Sequence, residues 1–291
     1  MERFLILGHT GFVGGRLKDY FQNNYNDIEV IGLSTKEIDL TNAKTVSLLN
    51  NYFNSNTSVI LCSGIKSDYG NNLETYKNNL KMAENICKVL EKCPVKKFIF
   101  FSSLAVYGVD IHNVKISEKT EIRPDTYYGL SKYASEQLLK ITFSKFKTSQ
   151  CIIIRTPTIY GPYEKICAHT PSGFLNTYLD NREVTLWGDG LDLREFIYVD
   201  DIVKIVNYLI LSDFSGVINI GTGTGYTYKK ALDVISKRLN KKLTINSKKR
   251  TKEKIDKLVD PSLLNTLVPK FKFTSLDAGI EKIINTINNK F

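Results

Sequence analysis

The chain of 291 residues is 42% hydrophobic and 24% charged, a balance that excludes disordered, collagen-like and disulfide-scaffold classes. That length exceeds one ordinary hydrophobic core and predicts two domains. Its 40 basic against 30 acidic residues leave a net charge of +10, so an anionic partner enters the reading before any motif does.

Glu2 to Leu7 is an apolar run closed by Gly8, which predicts a first strand. Phe12, Val13, Leu17, Tyr20 and Phe21 then recur at helical spacing. Further strands are predicted at Glu29–Leu33, Ser58–Cys62, Lys97–Phe101 and Cys151–Ile154. A helix from Glu74 to Lys92 carries Leu80, Ala83, Ile86, Cys87 and Leu90 along one face, and another runs from Tyr128 to Phe146. This alternation predicts right-handed parallel βαβ units, hence an α/β fold with a Rossmann-type doubly wound parallel sheet.

After Ile154, Pro157, Gly161, Pro162, Pro171 and Gly173 mark the exit into a loop-rich region. A smaller α+β C-terminal substrate domain is expected there. The expected division is a dinucleotide-binding domain over 1–157, with 196–222 returning to it, and a second domain from 158–195 and 223–291.

Only Lys248-Lys249-Arg250 forms a compact basic cluster, and no helix-turn-helix, zinc-finger or RNA-binding aromatic signature accompanies it. A solvated lysine-rich surface and no nucleic-acid partner are expected. Cys62, Cys87, Cys93, Cys151 and Cys167 form an odd set without a C-x-x-C pair, which predicts reduced thiols, no disulfide framework and no metal. No apolar run approaches the ~20 residues of a membrane helix, so a cytoplasmic protein without a membrane partner is expected.

The turn Gly8-His9-Thr10-Gly11-Phe12-Val13-Gly14 follows the first strand and opens the first helix. Glycines there permit a tight turn and close approach of backbone N–H groups to a pyrophosphate at the helix N-terminus. Three glycines also make ordinary turns; the strand before and the helix after favour a nucleotide. The usual companion is an acid at the end of the second strand, about 20 residues on, which holds the ribose hydroxyls. That place reads Leu33-Ser34-Thr35-Lys36. Two hydroxyls and a lysine suit a 2′-phosphate, which tilts the expectation from NAD toward NADPH; Asp39 and Leu40 follow, near the adenine edge.

Tyr128 and Lys132 stand one helical turn apart. A neighbouring ammonium stabilises a phenolate, so a lowered tyrosine pKa suited to proton transfer is expected. Phe100-Phe101-Ser102-Ser103 brings two hydroxyls to the carboxyl edge of the sheet, where open α/β sheets bind ligands.

Together these blocks resemble the extended short-chain dehydrogenase/reductase family, specifically its NAD-dependent epimerase/dehydratase group acting on nucleotide sugars. The likeness spans nearly the whole chain. It rests on Gly8-x-x-Gly11-x-x-Gly14, the S-S-x-x-V-Y-G block with Ser103 at the catalytic hydroxyl position, Tyr128-x-x-x-Lys132, Arg155-Thr-Pro-Thr-Ile-Tyr-Gly-Pro162, and Trp187-Gly-Asp-Gly-x-x-x-Arg194-Glu-Phe-Ile-Tyr-Val-Asp-Asp201.

The resemblance implies catalytic Ser103, Tyr128 and Lys132. It implies an NADP(H) or NAD(H) site from Gly8, Thr10, Gly11, Phe12, Val13 and Gly14, from Ser34, Thr35, Lys36, Asp39 and Leu40, and from Ser63, Gly64, Asn79, Ser102, Tyr128, Lys132 and Pro157. Ser103, Thr126, Thr158 and Arg194 are the implied contacts to a nucleotide-diphosphate sugar, Arg194 gripping the diphosphate through its guanidinium fork. A homodimer through the helices near Glu74–Lys92 and Tyr128–Phe146 is implied as well.

Gly8-His9-x-Gly11-x-Val13-Gly14 and Glu37-x-Asp39-Leu40 look like the GDP-L-fucose synthase and dTDP-4-dehydrorhamnose reductase branch. Departures are the missing strand-end acid, Leu104 where the fucose synthases carry a cysteine, and Thr158 where many relatives carry asparagine. His169 lies near the partner histidine's region without matching its motif and reads as solvated. The leading expectation is a nucleotide-sugar 4-ketoreductase of surface-polysaccharide biosynthesis, with a 4-epimerase as the alternative. A 4,6-dehydratase is disfavoured because Leu104-Ala105 replaces its Asp-Glu pair. Intact Tyr128 and Lys132 count against a non-catalytic redox sensor.

Overall fold

The computed structural model describes residues 1–108, 115–164, 169–250 and 253–289. Strand β1 (Arg3–Leu7) is buried on both faces, as parallel strands covered by helices are. Alternation along it divides the core. Leu5 and Leu7 pack with Ile86 and Leu90 of helix α2 (Leu73–Lys92) and with Leu139 and Phe143 of helix α3 (Tyr127–Phe143). Phe4, one residue out of phase, meets Phe21 of helix α1 (Phe12–Asn24) edge-on at 4.9 Å between ring centroids.

The remaining strands are β2 (Glu29–Leu33), β3 (Thr57–Leu61), β4 (Lys97–Ser103), β5 (Gln150–Thr156) and β6 (Gly216–Asn219). Among the described residues they form a six-stranded sheet ordered β6-β5-β4-β3-β1-β2, with parallel pairing from β2 through β5. Chain order reverses at β1, which has β2 on one side and β3 on the other. Open α/β sheets bind ligands in the crevice at the carboxyl ends of their strands, where the chain order reverses.

Two capping devices set the helices. Asn72 and Thr75 form a reciprocal box at the start of α2, and Thr126 caps α3 by accepting from the Gly129 N–H at 3.0 Å. Lys97 is 3% exposed and donates to the carbonyls of Leu209, Ile210 and Ser212. It supplies a cation to the last turn of the helix Val199–Leu211, whose orphan carbonyls attract one.

Two compact units emerge, Met1–Val109 with Glu121–Thr156 and Val203–Ile218, and Asp110–Thr120 with Pro157–Ile202 and Asn219–Phe291. Residues 115–120, 196–202 and 219–222 therefore fall in the second unit, not the first as the sequence boundaries had them. Backbone pairing is the reason: Lys115–Ile116 pairs with Leu258–Val259, and Phe196–Tyr198 with Thr158–Tyr160. No helix among the described residues is long and apolar enough to cross a membrane. Cys62, Cys87, Cys93 and Cys151 are free thiols, and Cys167 lies outside the described residues.

The second unit builds its core from Tyr160, Phe174, Phe196, Tyr198, Ile235 and Ile280. Tyr160 is fully buried, and among the described residues its hydroxyl has no hydrogen-bond partner. A Cβ added at Gly279, in the helix Leu276–Asn288, would stand 2.0 Å from that hydroxyl. Gly279→Ala is therefore expected to destabilise the protein by about 1–3 kcal/mol, with the cost reduced in a Tyr160→Phe background. Urea unfolding of the two single variants and the double variant checks the coupling.

Candidate active site

After β1, Gly8 turns the chain at φ +93°, a conformation open to glycine and strained for other residues. A Cβ there would lie 2.6 Å from Ser63 Oγ, and one at Gly14 would lie 2.3 Å from the Gly8 carbonyl oxygen. The turn thus packs flush against the loop after β3 and against the first turn of α1. No side chain caps α1 at Gly11, so its first amides stay open to an anion.

A cavity of about 280 Å³ opens at these strand ends. Gly8, Thr10 and Gly11 line it from the glycine turn, Ser34, Thr35, Asp39 and Leu40 from the end of β2, and Ser63 and Gly64 from the end of β3. Phe12, Val13 and Gly14 flank it as the first turn of α1. A glycine cradle, an uncapped helix N-terminus and a cavity at the chain reversal fit a dinucleotide. Ile38, Cys62, Ile65 and Met82 complete the walls. They read from sequence as ordinary core, and nothing in their spacing separates a cavity wall from a packed interior.

Several expected contacts fall elsewhere. Lys36 is exposed and absent from the cavity wall. Asp39 lines the cavity while its carboxylate accepts from the Thr41 N–H and hydroxyl at 2.9 and 2.7 Å. Ser102 is turned away, buried and donating to Glu136 at 2.5 Å. Asn79 spans the Ile65 backbone, accepting from its N–H at 2.8 Å and donating to its carbonyl at 3.0 Å, which fixes the loop bearing Ser63 and Gly64.

The end of β2 also corrects the sequence reading, which found no acid there. Glu37 Oε2 accepts from the Ser34 N–H at 2.7 Å and the Ser34 hydroxyl at 2.6 Å, so a tight turn returns a carboxylate to the strand end. Those Ser34 hydrogen bonds hold the Glu37 carboxyl below the usual carboxylate range.

Tyr128, Lys132 and Glu136 occupy one face of α3 at successive turns. Three consecutive residues of β4 meet them. The Phe101 carbonyl accepts from Lys132 Nζ at 2.8 Å, Ser102 donates to Glu136, and Ser103 shares a hydrogen bond with the Tyr128 hydroxyl. Lys132 Nζ lies 4.9 Å from the Phe100 ring centroid and 5.8 Å from that of Tyr128, and a Cβ at Gly64 would come within 3.1 Å of it. Behind them Arg155 of β5 donates to Glu136 through Nε at 2.9 Å and Nη2 at 2.5 Å, and to Tyr107 Oη at 2.7 Å.

Burial dominates the electrostatics. It pushes Tyr128 up to about 12, against the Ser103 hydrogen bond that lowers it. This corrects the expected lowering by Lys132, whose ammonium is turned onto the Phe101 carbonyl. Burial also pulls Lys132 down to about 8, opposed by Cys62 and Glu136 and aided by Lys66. The Cys62 thiol, likewise buried, is pushed up to about 12 and stays protonated.

The other expected residues belong to the second unit. Pro157 opens it, and Thr158 lies in a strand paired with Phe196–Tyr198. Arg194 donates to the carbonyls of Leu193 and Ile255 and lies 5.7 Å from the Tyr228 ring centroid. His169 is exposed. Among the described residues no group of three or more His, Cys, Asp or Glu could hold a metal ion.

Residues 4–221 match the family model described as the NAD dependent epimerase/dehydratase family. The GDP-L-colitose synthase of Yersinia pseudotuberculosis is 25% identical, over 99% of this chain and 99% of its own. Two solved structures share the fold. The UDP-glucose 4-epimerase of Thermotoga maritima with UDP-glucose is 21% identical at a TM-score of 0.85, covering 99% of both chains. That of Bifidobacterium longum with NAD+ and UDP is 23% identical at a TM-score of 0.83, covering 99% of this chain and 100% of its own.

The position of Lys132 carries a stability signature. Its pKa falls from 10.5 to about 8 on burial, so the ammonium costs stability below pH 8. That cost is relieved between pH 8 and 10.5, where the unfolded chain binds the proton that the folded chain has lost. Unfolding free energy is expected to rise across this window by about 1–3 kcal/mol relative to Lys132→Met, as measured by urea denaturation at each pH.

Proposed function

Because the chain belongs to the NAD dependent epimerase/dehydratase family, we propose that it is a nucleotide-sugar 4-epimerase. One observation carries the reading. Ser103, Tyr128 and Lys132 stand together at the carboxyl end of the sheet whose strand ends also line the cavity at the glycine turn, and Leu104-Ala105 after the serine adds no second acid or base. Such a site moves one proton at one carbon. Similarity to UDP-glucose 4-epimerases across nearly the full chain supports it.

NAD, held by the glycine turn Gly8–Gly14 and the cavity walls at Ser34 and Ser63, would supply the hydride transfer at C4 of the sugar that side chains lack. Tyr128 takes the proton of the C4 hydroxyl in one direction and returns it in the other. At neutral pH burial holds its phenol protonated, the donating state, and the Ser103 hydrogen bond works against that rise. Ser103, hydrogen-bonded to Tyr128, orients the C4 oxygen toward that phenol. Lys132, anchored on the Phe101 carbonyl, keeps its ammonium 5.8 Å from the Tyr128 ring centroid, beside the phenol that exchanges the proton. Asn79 holds the loop that backs it.

In the second unit, Arg194 is the guanidinium proposed for the diphosphate, and Thr158, in the strand paired with Phe196–Tyr198, is proposed to meet the sugar. Exposed Leu130 and Ile141 on α3 support a homodimer through that helix. A second reading, reduction of a 4-keto sugar by NAD(P)H, uses the same three residues and is favoured by the likeness to GDP-L-colitose synthase.

Denatured protein is expected to release close to one NAD per chain. Native protein is expected to interconvert C4 epimers of a UDP-sugar without added coenzyme, followed by proton NMR. Tyr128→Phe should lower kcat by about 10²–10⁴-fold while leaving nucleotide-sugar affinity unchanged. Stoichiometric NAD(P)H consumption with a 4-keto sugar nucleotide would transfer the assignment to the reductase, and a Tyr128→Phe variant of undiminished kcat would remove Tyr128 from the chemistry.

A further inference from the structure

The excess positive charge of the chain lies in its last quarter. Residues 219–291 hold 16 Lys and Arg against 6 Asp and Glu, a net of +10, whereas residues 1–218 hold 24 of each. All of 219–291 belongs to the second unit. Acids of that unit are mostly engaged elsewhere: Asp277 and Glu281 pair with Arg238, Asp189 and Asp192 with Arg250, and Asp256 with Lys254. Glu195 is buried and accepts from the N–H groups of Thr222, Gly223 and Val259.

One stretch is left uncompensated. Lys241, Lys242, Lys248 and Lys249 are exposed and form no ion pair among the described residues. They flank or close the strand Ile245–Lys248, exposed at all four positions and paired in parallel with Val184–Trp187. Among the described residues these two strands form a sheet of their own, and the outer one keeps an unpaired edge. Register sets Lys248 opposite Trp187, with the ammonium 5.3 Å from the indole ring centroid. Trp187 is still 49% exposed, and Ile245 and Leu191 are exposed beside the same strands. Lysines alone suffice to keep an edge strand from pairing; they do not account for large apolar side chains left in water next to them.

We propose that this face of the second unit docks on an anionic lipid surface, the lysines meeting headgroup phosphates and Trp187 seated at the boundary between headgroups and acyl chains. Charge complementarity selects the partner. The free cations are lysines, point charges suited to a diffuse phosphate layer, whereas Arg238 and Arg250, the two arginines of the segment, have their forks held by carboxylates. An indole beside lysines is the combination that favours a bilayer interface over a nucleic acid. Lying on a membrane needs no spanning helix, so the sequence expectation of a chain without a membrane partner, which rested on the lack of a long apolar run, gives way. None of these residues belongs to the catalytic group or the cavity wall, so the docking face stands independently of the 4-epimerase reading.

Trp187 is the only tryptophan of the chain, so indole emission reports on this face directly. Full-length protein is titrated with vesicles of phosphatidylcholine alone and of phosphatidylcholine with phosphatidylglycerol in equal parts, and co-sedimentation is measured in parallel. Partition onto the anionic vesicles is expected to exceed that onto neutral ones at least about tenfold, to fall as salt rises, and to move the Trp187 emission to the blue. Lys248→Glu with Lys249→Glu should lower that partition at least about tenfold, and Lys248→Gln with Lys249→Gln, which removes charge without reversing it, should lie between. Lys77→Glu with Lys81→Glu, an equal change of charge in the first unit, should alter it less than about twofold. Absence of binding, equal partition onto both vesicles, unmoved Trp187 emission on binding, or equal losses from the two charge reversals overturn the proposal. Preference for a mixed-sequence RNA or duplex DNA over anionic vesicles at the same ionic strength overturns it in favour of a nucleic-acid partner.

Discussion

Glu136 and Arg155 are 0% and 3% exposed, and a carboxylate and a guanidinium so far from water remain charged because each satisfies the other. Their bidentate contact joins α3 to β5, and Ser102 and Tyr107 extend it to β4 and the turn after it. Sliding α3 along the sheet by one turn would strand both charges. The pair therefore fixes the register in which Tyr128 faces Ser103 and Lys132 faces the Phe101 carbonyl. As with buried ion pairs generally, its value lies in specifying one arrangement more than in net stability.

The same burial that makes this pair necessary sets the chemistry beside it. Desolvation raises the Tyr128 phenol, lowers the Lys132 ammonium and keeps the Cys62 thiol protonated. Before any ligand binds, the site is poised with the proton on tyrosine and a weakly held proton on lysine. Charges brought in by ligands then act at low local dielectric, where they move these equilibria more than they would in water.

For a chain of net charge +10, the places open to an anionic partner are particular groups rather than the whole surface. Backbone amides at the start of α1 are open to a pyrophosphate, and Arg194 is the guanidinium for the proposed sugar diphosphate. Neither depends on the bulk of the lysines. At the end of β2 the protein goes further and places a negative charge of its own beside the cavity.

Sequence alone determined the sheet strands β1 to β5, the helices α2 and α3, the glycine turn and the Tyr128–Lys132 pair. These depend on spacing along the chain, which fixes the side chains that share a face. It did not show that Glu37 folds back on Ser34, that Ser102 turns inward, or that Glu136 and Arg155 pair from separate elements. Lys36 read as a phosphate ligand because its neighbour's side chain could not be placed. Tyr128 read as acidified because an i, i+4 lysine is visible in sequence and burial is not. Only the tertiary structure decided which groups lose water and which distant groups meet, because desolvation and long-range pairing are summed over segments far apart in the chain.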